Sequence, residues 1–261
     1  MTRCVARGPG RRIAAALVFA GLLGGCQEAP ITGRNQLILM PESQATQAGL
    51  QAYQQIKQQE PVSHDSQLNQ EVQEVGRRIA AVSGQPDWDW QFTLFQNDEP
   101  NAFALPGGKV GVYTGLFKVV QNRAQLAAVL GHEIGHAIAH HGAERMSQDM
   151  LAQLGAAAVG IGTGSAEYAQ LAAQAATLGI TLPYSRTQES EADHIGLILM
   201  AKAGYDPREA IDLWENFQKL GGQRPPEWLS THPSEGTRID RLKELMPEAM
   251  QVYEANKGKT S

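Results

Sequence analysis

His132-Glu133-Ile134-Gly135-His136 is the most informative stretch of this sequence, and it falls within a helical run predicted over 122–141. An α-helix turns about 100° per residue, so the two histidines lie about 40° apart on one face, one turn from each other. Two imidazoles held in this way can share one tetrahedral metal ion. Glu133 can reach a water on that ion without being a ligand. We therefore predict His132 and His136 as metal ligands and Glu133 as a general base.

A catalytic zinc site takes three protein ligands, so the histidine pair needs a third partner. A metzincin would place a histidine six residues after His136 and a glycine three residues after it, and Ala139 and Gly142 exclude that class. His140 lies a turn too far along the helix axis to join the pair. We interpret His140 and His141 as late-helix residues favoured by the helix dipole.

The third ligand is predicted from a downstream helix, in which Glu189 and Asp193 lie four residues apart on one face. Glu189 is the predicted ligand. Asp193 is predicted to accept the ring N–H of a ligand histidine and so to fix its tautomer and orientation. Glu191 points about 200° away from Glu189 and is not expected to join these two carboxylates.

The N-terminal residues 1–25 have the features of a secretory signal peptide. Four arginines precede an apolar run, 13–23, that is too short for a membrane span of about 20 residues. Leu23-Gly24-Gly25-Cys26 resembles a bacterial lipobox, which implies cleavage before Cys26 and a diacylglyceryl group on its sulfur. Gln27 after the cysteine follows the enterobacterial sorting rule for the outer membrane. A soluble export signal with an incidental cysteine is the alternative.

Composition and periodicity predict the organisation of the rest. The chain has 261 residues, 42% hydrophobic and 19% charged, which is typical of a globular protein. Its net charge of −5 becomes more negative without 1–25, which argues against nucleic acid as a partner. We divide it into a signal peptide with lipobox (1–25), a lipidated linker (26–40), one domain (41–255) and a disordered tail (256–261).

The domain is predicted to be α+β, a mostly helical zincin-like single domain with a small antiparallel sheet beside the HExxH helix. Alternating residues predict strands at 87–95 and 109–113, and 101–105 is a short strand candidate between them. Helices are predicted, besides the metal helix, at 41–59, 67–83, 144–154, 185–203, 206–220 and 235–246.

Together, His132-Glu133-x-x-His136 and Glu189-x-x-Ala192-Asp193 resemble the gluzincin metallopeptidases of the CAAX-prenyl-protease and HtpX type. Within that family the similarity is to the periplasmic lipoprotein branch of BepA-like and LoiP-like proteins, and it extends over about 30–246. Four further segments carry it: Thr32-Gly33-Arg34, 101–108, His141-Gly142-Ala143-Glu144-Arg145, and Thr231-His232-Pro233 with Arg238.

The resemblance implies one Zn²⁺ per chain, bound by His132, His136 and Glu189. It also implies that His232 lies near the metal, either as a fourth ligand or as a catalytic donor to the oxyanion; a lone surface histidine is the alternative. The strand containing Asn101, Ala102 and Phe103 resembles the family's substrate-pairing edge, although a structural hairpin arm fits it equally well.

Two functions from different classes fit these expectations. The first is a membrane-tethered zinc endopeptidase that hydrolyses envelope proteins in protein quality control, anchored through Cys26 in a bacterial outer membrane and facing the periplasm. The second is a chaperone-like or adaptor lipoprotein whose metal site is capped and mostly inactive. Glu133 favours the first, because a purely structural zinc site has no use for it. The physiological substrate and the oligomeric state stay open.

Overall fold

The computed structural model describes residues 26–163, 184–220, 232 and 237–258. The expected signal peptide, 1–25, and the last three residues of the expected tail lie outside the described residues. In chain order the elements are β1 (Cys26–Glu28), β2 (Asn35–Leu37), α1 (Glu42–Gln59), α2 (Ser66–Ala81), β3 (Gln91–Phe95), β4 (Ala102–Leu105), β5 (Lys109–Tyr113), a 3₁₀ turn (Thr114–Lys118), α3 (Arg123–Ile138), α4 (His141–Thr163), α5 (Arg186–Lys202), α6 (Glu209–Leu220) and α7 (Arg238–Asn256). Among the described helices, none combines the length and apolarity that a bilayer span requires.

The sheet beside the metal helix has three strands in the order β3-β5-β4, which confirms the α+β class. β5 pairs antiparallel with β4, as expected, but parallel with β3, so the sheet is mixed. Alternation along a strand reports which face is buried and carries no information on the direction of its neighbour. β4 lies at one edge of the sheet and packs against α3.

The helices α3 and α5 pack along each other at the centre of the molecule. Two glycines allow their backbones to approach closely. A Cβ on Gly131 would lie 2.8 Å from the carbonyl oxygen of Gly196, and a Cβ on Gly196 would lie 2.7 Å from the backbone nitrogen of His132. Both distances are too short for a real side chain, so glycine is required at this crossing. The close contact brings the acidic side chains of α5 opposite the histidines of α3.

The metal helix is shorter than its sequence predicts. α3 ends at Ile138, and His140 takes a left-handed conformation with φ of 56°. The chain therefore turns, and His141 begins α4 with its side chain fully buried. The interpretation of His140 and His141 as the last residues of one continuous helix is thus corrected. The turn matters because it directs His141 back towards the histidines of α3.

The residues expected to form an extended linker instead fold into a hairpin, which we call the N-terminal hairpin (26–40). β1 and β2 pair antiparallel, and Ala29 and Ile38 are buried. The tight turn between the strands includes Gly33 with φ of 66°. This turn places Thr32 and Arg34 against α5, where both contact Glu191.

Candidate metal centre

Four buried side chains converge at the contact between α3 and α5: His132, His136, Glu189 and His232. One candidate ligand atom from each lies within 4.8 Å of the other three. The Nε2 atom of His136 is 3.1 Å from Nε2 of His132 and 3.2 Å from Oε1 of Glu189. The Nδ1 atom of His232 is 3.2 Å from Nε2 of His132 and 3.0 Å from Oε1 of Glu189.

These separations fit a tetrahedral metal ion. Metal–ligand bonds of about 2.1 Å place the ligands of a tetrahedron about 3.4 Å apart. The chemistry of the donors points the same way. The Nδ1 atoms of both candidate ligand histidines face partners outside the cluster, which leaves the Nε2 lone pairs of His132 and His136 facing each other beside a carboxylate. Several lone pairs at such short range repel unless a cation lies between them.

Glu133 lies beside this group without belonging to it. It is buried, and its Oε1 atom is 3.6 Å from Nε2 of His232. His232 thus presents Nδ1 to the cluster and Nε2 to Glu133. Burial alone would lower the pKa of His232, but the negative charges of Glu133 and Glu189 raise that pKa above its ordinary value.

We call the contacts behind the first ligand the His132 arm, formed by His132, Asp193 and Arg238. The Nδ1 atom of His132 lies 2.9 Å from Oδ1 of Asp193. Arg238 donates to that oxygen at 2.5 Å and to Oε2 of Glu189 at 3.1 Å, and its guanidinium stacks 3.6 Å from the ring of Trp214. Burial alone would raise the pKa of Asp193, yet Arg238 and His132 bring it below its ordinary value. Asp193 therefore stays ionised as an acceptor for the His132 ring.

The contacts behind the second ligand form the His136 arm: His136, His141, Glu191 and Arg34. The Nδ1 atom of His136 lies 2.8 Å from Nδ1 of His141, and Nε2 of His141 lies 3.0 Å from Oε2 of Glu191. Arg34 donates to the same carboxylate at 2.6 Å, and Thr32 also donates to it. Burial would raise the pKa of Glu191, but these hydrogen bonds lower it to about 2.

The sequence analysis assigned His141, Glu191 and Arg34 no role at the metal centre. Glu191 lies apart from Glu189 and Asp193 around α5, as its position in the helix predicts. It nevertheless reaches the metal centre through His141. The available signal was indirect, since His141 and Arg34 both lie in segments that carry the family resemblance.

Beside His136 a cavity of about 290 Å³ opens between α1, the end of β4 and the start of α4. Its walls are mostly small or apolar, including Ala48, Leu105 and Met146. Tyr184 stacks on the His136 ring with 4.0 Å between centroids. Burial, reinforced by the charge of Glu133, raises the pKa of Tyr184 to about 12. Because His136 lines this cavity, a substrate side chain placed in it would lie close to a candidate metal ligand.

The predicted edge strand runs towards this cavity. Ala102 is buried, and Phe103 stacks on Phe95 at 6.2 Å between ring centroids. Asn101 precedes β4, and its side chain accepts from the backbone N–H of Ala102 at 2.8 Å. Within the described sheet, β4 pairs with β5 alone, so one of its edges has no strand partner there.

Comparison with known proteins places these residues in a family. The model of Peptidase family M48 matches residues 66–246. One similar protein is the mitochondrial metalloendopeptidase OMA1 of Schizosaccharomyces pombe, 38% identical over 191 residues, which cover 71% of this chain and 55% of that protein. The Saccharomyces cerevisiae OMA1 is 30% identical over 264 residues, with 90% of this chain and 76% of that protein covered.

A bacterial relative is the beta-barrel assembly-enhancing protease of Escherichia coli, 31% identical over 225 residues, which cover 81% of this chain and 46% of that protein. The chain thus spans about half the length of the S. pombe and E. coli relatives. The family match contains the four residues of the metal cluster and Glu133, and it covers more than half of the chain. This chain therefore belongs to peptidase family M48.

Proposed function

We propose that this protein is a zinc-dependent endopeptidase. The position of Glu133 is the observation that carries the proposal. This carboxylate is buried next to the metal cluster, and its Oε1 atom lies 3.6 Å from Nε2 of His232. A structural zinc site is closed by its ligands and has no use for an additional buried carboxylate. A hydrolytic site needs a carboxylate there as a base.

A zinc ion bound by His132, His136 and Glu189 would polarise a peptide carbonyl and lower the pKa of a water molecule. Glu133 accepts the proton of the attacking water and returns it to the leaving amine nitrogen. His232, whose Nδ1 atom faces the cluster, donates a hydrogen bond to the oxygen on which negative charge develops. The carboxylate of Glu133 in turn orients the His232 ring through its contact with Nε2.

We propose that the substrate is an extended polypeptide that pairs with the edge of β4, near Asn101, Ala102 and Phe103. Backbone hydrogen bonds to an edge strand hold a peptide without regard to its sequence. The position of β4 against α3 supports this arrangement, because a peptide added there lies alongside the helix that carries His132 and His136. The 290 Å³ cavity beside His136 then receives one side chain of the peptide.

We further propose the cell envelope as the site of action, with residues 1–25 removed and Cys26 lipidated in the outer membrane, facing the periplasm. The lipobox-like stretch Leu23-Gly24-Gly25-Cys26 supports the lipid anchor. Protein quality control is the proposed role, and the periplasmic lipoprotein branch is the proposed place within the family. The E. coli relative is named for assembly of β-barrels, which concerns that protein.

The test is Glu133→Gln in the purified protein. The variant should retain the zinc content of the wild type, because Glu133 is not a ligand. It should cleave casein about 10²- to 10⁴-fold more slowly, because the general base is lost. Cleavage at the wild-type rate would refute the mechanism. Loss of zinc together with activity would instead show that Glu133 holds the metal.

One observation favours a second candidate, the capped adaptor. His232 completes a group of four ligand atoms, and a fourth protein ligand would occupy the place of the water. His232→Ala separates the two functions. Casein cleavage falls if His232 stabilises the oxyanion, and it rises if His232 closes the site. Zinc content measured in the same preparation distinguishes both results from metal loss.

A further inference from the structure

We propose that His141, Glu191 and Arg34 act as a positioning relay for His136, so that the N-terminal hairpin is part of the metal centre. The proposal rests on the metal binding in the proposed function. It does not depend on peptide hydrolysis. None of the three residues touches the place of the metal, and each acts through the next.

The first step concerns the proton on His136. Its Nε2 atom faces Glu189 and His132, and its Nδ1 atom lies 2.8 Å from Nδ1 of His141. At that distance one of the two Nδ1 atoms carries the hydrogen and the other accepts it. A histidine that binds metal through Nε2 has its proton on Nδ1. His136 is therefore the donor, and His141 must accept.

The second step concerns the proton on His141. If Nδ1 of His141 accepts, a neutral ring carries its hydrogen on Nε2. That atom points to Oε2 of Glu191 at 3.0 Å, and an ionised carboxylate can only accept. Glu191 therefore selects the tautomer of His141, and His141 selects the tautomer of His136. Without the carboxylate, the hydrogen of His141 can lie on Nδ1 instead of Nε2. Two N–H groups, those of His141 and His136, would then point at each other, and the hydrogen bond between the rings would be lost.

The third step concerns what fixes Glu191. Arg34 donates through Nε to Glu191 at 2.6 Å and through both terminal nitrogens to Glu144 at 2.7 and 2.8 Å. Gln188 donates to Oε2 of Glu144 at 2.8 Å. The guanidinium thus bridges carboxylates of α4 and α5, a geometry that restricts the orientation of both. Arg34 and Thr32 come from the turn of the N-terminal hairpin.

A simpler explanation is that these contacts only fasten the hairpin to the helices. The two explanations predict different results for zinc. A fastening contact changes the stability of the fold and leaves the zinc site unaltered. A positioning relay changes the affinity for zinc and the electronic environment of the bound metal, since the orientation of a ligand ring and its basicity depend on its outer hydrogen bond.

The experiment compares Glu191→Gln with Glu144→Gln in the full chain. Both substitutions remove one charge from an Arg34 contact, but the hydrogen bond to His141 is made by Glu191. Zinc affinity is measured by competition with a chromophoric chelator, and the visible absorption spectrum is recorded with Co²⁺ in place of zinc. For Glu191→Gln we expect about a 10- to 100-fold loss of zinc affinity and a shifted Co²⁺ spectrum. Glu144→Gln should keep the wild-type spectrum and stay within about threefold of the wild-type zinc affinity, well short of the loss at Glu191.

Wild-type zinc affinity and an unaltered Co²⁺ spectrum in Glu191→Gln would overturn the proposal. Equal losses of zinc affinity in both variants would overturn it too, since the loss would then not depend on the hydrogen bond between Glu191 and His141. If Glu191→Gln does not fold, Arg34→Gln decides, because the Arg34 side chain is 24% exposed and tolerates replacement better. A lowered zinc affinity there supports the relay, and an unchanged affinity refutes it. A wild-type protein that binds zinc but does not cleave casein would refute the proposed function and leave the relay standing.

Discussion

The His132 arm and the His136 arm support their ligands with the same chemical sequence, an imidazole, a carboxylate and an arginine. They differ in length and in origin. Asp193 touches His132 directly, whereas Glu191 reaches His136 only through a second imidazole, that of His141. Both carboxylates come from α5, and because they are two residues apart they leave the helix in nearly opposite directions. One helix can therefore serve both ligands.

The arginines mark the deeper difference between the arms. Arg238 comes from α7 and donates to Asp193 and to the predicted ligand Glu189. Arg34 comes from the N-terminal hairpin and donates to Glu191 and Glu144, neither of which belongs to the metal cluster. The His132 arm is thus closed within the helical core. The His136 arm connects the metal centre to the other end of the chain.

The largest expected effect is on the His132 arm, through Arg238→Met. This change removes the buried arginine that donates to both Asp193 and Glu189, so we expect the free energy of unfolding to fall by about 3–5 kcal/mol. Urea denaturation measures it. The control is Arg241→Met, three residues further along α7, for which we expect a change within about 0.5 kcal/mol. Equal effects of the two substitutions would show that the buried contacts of Arg238 contribute nothing specific.

Removal of zinc tests both arms together. The candidate metal ligands come together only in the folded chain, so zinc bound there should stabilise the folded state by about 2.7 kcal/mol at a zinc concentration of 100 times Kd. A chelator should therefore lower the midpoint of thermal unfolding. At one fixed zinc concentration, Asp193→Asn and Glu191→Gln should each show a smaller difference between metal-loaded and metal-free protein. Identical melting curves with and without chelator would contradict the metal centre itself.

The smallest effect expected is the difference between the arms in zinc affinity. Asp193→Asn should lose about 10- to 100-fold, and Glu191→Gln should fall at the lower end of that range, because it acts through an intervening ring. Chelator competition on the two variants measures the ratio. Glu248→Gln serves as a control, since it removes a carboxylate 3.0 Å from His194 on the outer side of α5. A greater loss in Glu191→Gln than in Asp193→Asn would reverse the proposed order.

The two arms also show what sequence can and cannot predict. The sequence could predict Glu189 and Asp193 together because both lie on one face of one helix, and helical spacing alone relates them. His141 was missed because a continuous helix was predicted through the turn at His140, a left-handed residue that no periodic pattern reveals. Arg34 was missed because its contact with Glu191 joins residues distant in sequence, and local spacing says nothing about such pairs.

The sheet shows the same limit of sequence-based prediction for the pairing of backbone strands. Alternation predicted strands at β3 and β5, β4 was a short strand candidate, and the three were expected to form an antiparallel sheet. In the structure β5 instead lies between β3 and β4, and it runs parallel to β3. The pairing depends on which strands meet in space. His232 was reached through family resemblance alone, since its neighbours in sequence carry no periodic signal.

The N-terminal hairpin has a consequence for where such an enzyme could work. Arg34 lies eight residues after Cys26. Even a fully extended stretch of that length spans no more than about 28 Å, and the strand pairing of β1 with β2 shortens it. If Cys26 carries the acyl chains, only a very short segment separates the lipid anchor from the folded domain. Cleavage would then be confined to polypeptide segments that emerge immediately above the lipid headgroups.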